Sequence, residues 1–157
     1  MNTNVIINIG DKESSLELLK IFKENKYVPF YVRVTNSNIM ELNNILGRKV
    51  FKKDAVYISS QTLYEIMQDD QRQGSHHHHG LTPEQVYNAL SRLQYSKEVV
   101  VTFDDRYVVI TDVFVTDEVK LIVIVSSDTT VVVQDLKNII SIITIYPSDK
   151  DKSKNKK

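Results

Sequence analysis

The chain has 157 residues, 41% of them hydrophobic and 25% charged, which suits one soluble domain with a real core. It has no cysteine, so disulfides, thiolate metal ligands and a cysteine nucleophile are excluded. Formal net charge is zero, but residues 150–157 (KDKSKNKK) hold five lysines and one aspartate, leaving 15 basic and 19 acidic residues in 1–149. A mildly acidic body argues against nonspecific duplex binding, which needs a basic face.

The N-terminus has neither the basic start nor the long apolar stretch of a secretory signal, and no run approaches the ~20 apolar residues that span a bilayer. A cytoplasmic chain without membrane contact is expected. Residues 4–9 (NVIINI) read as a short strand, and residues 12–25 as a helix with Leu18, Ile21 and Phe22 at helical spacing. Residues 28–35 (VPFYVRVT) are rich in β-formers. Thr35 is the expected cap of a helix running to Leu46, and Gly47 stands where a terminating glycine belongs. Residues 50–58 look extended, and Ser59 or Ser60 caps a short helix bearing Leu63, Ile66 and Met67.

Residues 69–80 are polar and aperiodic, an exposed loop. Thr82, Pro83 and Gln85 then give three helix-start signals together: N-cap, N1 proline and capping box. Leu81 and Val86 form the expected hydrophobic staple. Val86, Ala89, Leu90 and Leu93 supply the buried stripe. Three strands follow at 98–103, 106–115 and 119–125, joined by short turns that favour consecutive antiparallel pairing. A short strand is expected at 130–133 and a last one at 139–146, stopped by Pro147. The expected class is α+β: helices, then a small antiparallel β-meander. Its parts are an N-terminal βα extension (1–27), the main domain (28–148) and a disordered basic tail (149–157).

Every histidine of the chain lies in GSHHHHG, residues 74–80. Three readings of this run stand side by side. A Gly-Ser scar followed by histidines is the form of a purification tag. A metal string is the second, although no second cluster of ligands completes a tetrahedral site, so no metal and no cofactor are expected. The third is acid–base work: histidine titrates near neutrality, and the adjoining helix N-terminus offers partial positive charge and free N–H groups to a phosphate. Such a site suits attack of a ribose 2′-hydroxyl on its own phosphate, which needs no metal.

In the last strand, strict alternation puts Ser141 and Thr144 on opposite faces, with Tyr146 beside Thr144. Thr144 and Tyr146 thus give one face two hydroxyls. Arg106 and Lys137, at strand starts, are candidate cations. Four glycines leave no Gly-rich phosphate loop, and no serine nucleophile elbow or dense aromatic-basic platform for single strands is evident.

The order of these pieces is distinctive: LG before YIS and a short helix, a histidine, GLTPEQV opening a helix, a meander, and a closing NIISIITIYP. It resembles the C-terminal nuclease-like domains of phage head-morphogenesis (MuF-type) and other mobile-element polyproteins, within the Barnase/EndoU/colicin/RelE-like group. The resemblance spans residues 46–146. It implies a small antiparallel sheet with helices on one side, and metal-independent RNA cleavage, often as a toxin. The family histidine falls on His78 or His79, and the closing polar positions on Ser141, Thr144 and Tyr146. In that reading His78 or His79 is the base or acid, and Thr144 and Tyr146 position the phosphate. Arg106, Lys137 and Ser141 bind the substrate, RNA, and an immunity or other protein partner is possible. The alternative is a catalytically silent protein-binding module.

Overall fold

The computed structural model describes residues 5–26, 30–36, 38–51, 55–68, 79–101, 106–129 and 139–149. They form an α+β fold in which helices cover one side of a mixed open sheet. The strands are β1 (Val5–Asn8), β2 (Phe30–Thr35), β3 (Ala55–Ser59), β4 (Glu98–Val101), β5 (Arg106–Thr116), β6 (Val119–Thr129) and β7 (Ile139–Asp149). The helices are α1 (Lys12–Glu24), α2 (Leu42–Leu46), α3 (Ser60–Ile66) and α4 (Pro83–Arg92). The sheet has seven strands in the order β1-β2-β3-β7-β6-β5-β4.

The expected meander is present: β4, β5, β6 and β7 pair consecutively and antiparallel. It is one part of a larger mixed sheet, because β7 also pairs in parallel with β3, through Tyr57 and Ser141. β3 is antiparallel to β2, and β1 is parallel to β2. The N-terminal strand therefore belongs to the same sheet, and α1 buries Leu19 and Phe22 in the same core as the rest. The first parallel pairing joins consecutive strands across α1, whereas the β3–β7 pairing joins strands distant in sequence, which local spacing does not reveal.

Local chemistry explains the helix ends. Asp11 accepts from the Ser14 N–H at the start of α1, and this bond holds its carboxyl below the usual value. Ser59 caps α3 by accepting from the Thr62 N–H. At α4 the capping box is complete: Thr82 accepts from the Gln85 N–H at 3.1 Å, and Gln85 accepts from the Thr82 N–H at 2.9 Å. Leu81 and Val86 are both buried beside it. Gly47 ends α2 at φ 74°, the left-handed conformation glycine tolerates best.

Several sequence expectations need correction. Thr35 caps no helix; it closes β2, paired with Ala55. A 3₁₀ turn over Ile39–Glu41 then leads into a short α2. Pro147 does not stop β7, which runs to Asp149 with Pro147 opposite Leu121. The strand tolerates proline because β3 pairs with β7 only near Ser141. Beyond that point one side of β7 has no strand neighbour, so a missing N–H there breaks no ladder bond. The expected strand at 130–133 lies outside the described residues, as does the expected tail (149–157) except for Asp149, which ends β7.

Register assigns the two faces of the sheet, since directly paired residues point the same way. Val32, Val34, Val56, Ile58, Val109, Leu121, Val123, Val125, Ile142 and Ile145 face the helices and are almost fully buried. They share one cluster with Leu63, Ile66, Val86, Leu90 and Leu93 of the helical layer. Ala55, Tyr57 and Ile122 are also buried but lie outside that cluster, on the opposite face.

Candidate active site

A β-bulge in β7 determines which polar groups meet. Ile142 pairs with Val125 and Thr144 with Ile124, so Ile143 is an extra residue with no partner on β6. Alternation restarts after it. Ser141, opposite Ser126, and Thr144 and Tyr146, opposite Ile124 and Ile122, therefore share the face away from the helices. The expectation that Ser141 and Thr144 lie on opposite faces is overturned by that one residue.

Beyond the end of β3, α3 takes the place of a strand beside β7. Between them runs a groove of about 270 Å³, lined by Ser59, Gln61, Thr62, Glu65, Ile143 and Thr144 among others. The Thr144 Oγ1 is buried and has no hydrogen-bond partner among the described residues. A hydroxyl taken from water without a partner costs about 1–3 kcal/mol. Ser59 and Thr62 are engaged with each other at 3.0 Å, as part of the α3 cap.

His79 is placed by the end of α3. The chain before α4 is fastened to the end of α3 by two backbone bonds, from the Gly80 N–H to the Gln68 carbonyl at 2.6 Å and from the Leu81 N–H to the Ile66 carbonyl at 3.1 Å. Gly80 makes the turn at φ 64°. This places the His79 ring 5.8 Å from the Tyr146 ring, centroid to centroid and tilted by 39°. The His79 Nε2 is buried. Burial raises the Tyr146 phenol above its ordinary value, so at neutral pH it is an O–H donor.

Of the residues singled out from sequence, His79 and Tyr146 are thus in ring contact, and Thr144 shares the face of Tyr146 two residues earlier in β7. Ser141 shares their face but is buried three residues earlier in the strand. Arg106 begins β5, exposed, in the row that crosses Ser126 and Ser141. It is two strands from β7, so about 10 Å to the side. His78 and Lys137 lie outside the described residues. Glu65, Gln61 and Thr62 were not anticipated as site residues. Their signal was faint: within α3 they fall on the side away from Leu63 and Ile66, where polar residues are ordinary.

Among the described residues no three His, Asp or Glu side chains converge as a metal site, and no helix is long and apolar enough to cross a membrane. The chain matches no protein-family model, no curated protein and no solved structure.

Proposed function

We propose that this chain is a metal-independent ribonuclease-like domain of the mobile-element nuclease kind, related to the barnase and RelE architectures. The observation that carries the reading is the His79–Tyr146 ring contact beside the unpartnered Thr144 hydroxyl. His79 takes the proton of a ribose 2′-hydroxyl as its oxygen attacks the adjacent phosphorus. The bond from phosphorus to the 5′-oxygen breaks, and the imidazolium returns the proton to that oxygen, leaving a 2′,3′-cyclic phosphate. Tyr146, kept protonated, donates to a non-bridging phosphate oxygen. The Thr144 hydroxyl, without a partner among the described residues, hydrogen-bonds the same phosphate.

The test is cleavage of a fluorescent RNA oligonucleotide in the presence of EDTA. His79→Ala is expected to lower the rate by about 10²–10⁴. A wild-type chain that leaves RNA intact, or a variant as fast as wild type, overturns the proposal.

One observation favours a protein-binding module instead. β4 is an edge strand whose Val100 and Val101 are 55% and 41% exposed, a surface open to strand addition. If that reading holds, Val100→Lys abolishes partner binding while the fold is kept.

A further inference from the structure

The exposed apolar side chains of this chain are gathered rather than scattered. Among the described residues seven large hydrophobics are exposed, and five of them, Met40, Ile45, Tyr95, Val100 and Val101, lie on β4 or on the short helical pieces around it. α2, which carries Ile45, packs against β4, and the 3₁₀ turn over Leu93–Tyr95 that leads into β4 packs against the one over Ile39–Glu41. Single exposed hydrophobics are ordinary, whereas a patch gathered round one edge calls for a cover. β4 ends the sheet, and among the described residues no strand pairs with its outer side, where alternate N–H and C=O groups point outward.

Both faces of this edge are apolar. Val99 pairs with the buried Val109 and Val101 with the buried Tyr107, so both point to the helix side, while Val100 pairs with Val108 on the opposite face. A strand added here meets valine on either face, so it needs a short unbroken apolar run rather than strict alternation.

Charge then narrows the occupant. Lys97, one residue before β4, is exposed and continues the helix-side parity of Val99 and Val101. At the far end, Arg48 donates from Nη2 to the Tyr107 hydroxyl, its guanidinium 5.5 Å from the ring centre, so it stands on the same side near Val101. Lys49, also exposed, follows it. None of these three cations forms an ion pair among the described residues. Glu98, the one acid of β4, pairs with Ile110 and so lies on the opposite face. A second copy of this chain is a poor cover for that reason. Antiparallel pairing of β4 with itself brings Lys97 of each chain toward Arg48 of the other, with no carboxylate of β4 on that face to separate them.

We propose that the outer edge of β4 takes up an extended segment of an acidic protein partner, as an added strand with a carboxylate at each end of a three-residue apolar run. Residues four apart on a strand share a face and stand about 13 Å from each other, the separation of Lys97 from Val101. The two carboxylates thus reach Lys97 and Arg48, and the apolar residues between them cover Val99, Val100, Val101 and Ile45. The proposal rests on the strand-addition reading of β4 given above, not on the ribonuclease one, and adds to it the chemistry of the partner.

The test uses the full chain and three fluorescent peptides: GSEVIVEGS, its glutamine form GSQVIVQGS and its lysine form GSKVIVKGS. The glutamate peptide is expected to bind, more weakly as salt rises, and to protect the outward-facing amides of β4 from hydrogen exchange. The lysine peptide should not bind. Lys97→Gln and Arg48→Gln should each lower affinity for the glutamate peptide about twofold to fivefold and leave the glutamine peptide unaffected. Arg48→Lys should keep most of the affinity, and thermal melts show that each variant is folded. Equal affinity of wild type for the glutamate and glutamine peptides overturns the acidic partner and keeps strand addition. Failure to bind either one, even at millimolar peptide, overturns both, as does binding that leaves the β4 amides unprotected. Concentration-dependent dimerisation that Val100→Lys abolishes makes a second copy the occupant and overturns the partner proposed here.

Discussion

The two faces of this sheet differ in what they ask of a side chain. On the helix side, Val32, Val56, Ile58, Val123 and Ile145 are fully buried and branched, and each helix presses an apolar stripe onto them. On the other side, the same strands carry Arg33, Tyr57, Ser141, Ser126, Thr144 and Tyr146, of which Tyr57 and Ser141 are buried as well. Most of the core lies on the first face, while the second carries most of these polar side chains. A single run such as IISIITIY serves both, because alternate residues answer to different neighbours.

The largest effect is expected from the core side. Ile142→Ala should destabilise by about 2–5 kcal/mol in a denaturant melt, since the lost contacts leave a cavity between β7 and the helices. Thr144→Val should move the other way, stabilising by on the order of 1 kcal/mol, because it replaces an unpartnered hydroxyl with a methyl group of the same shape. The same variant should lower RNA cleavage, and a destabilised Thr144→Val would show that the hydroxyl is structural. The smallest effect is expected at the Arg92–Asp112 pair, which is exposed and screened by solvent. Hydrogen bonds from Arg92, then its charge, hold the Asp112 carboxyl below its ordinary value. Its contribution is therefore present above pH ~4 and lost as pH falls further. Asp112→Asn should flatten that acid limb of the stability curve and leave the neutral region almost unchanged.

What the sequence made legible was local. Thr82, Pro83 and Gln85 act within one helical turn, and so does Gly47, so their roles can be read from spacing alone. The strands of the meander follow for the same reason, their links being short. The β3–β7 join was not legible, because Tyr57 meets Ser141 across about half of the chain. Thr35 was misread because its pairing with Ala55 outweighs its aptitude as a cap. At the site, His79 and Tyr146 were both singled out, but the groove was not. Glu65 and Thr62 acquire their setting only because β3 stops short and α3 fills the gap beside β7.

Ile143 has a further meaning. If that residue were deleted, Ile142 would still face the helices, Thr144 the open side and Ile145 the helices, in unbroken alternation. The sheet thus has no need of it for sorting inside from outside. What the additional residue changes is local shape: two residues opposite one bend and twist β7 close to the point where β3 ends and α3 begins. A chain shortened by that one residue would keep its faces sorted while losing that bend.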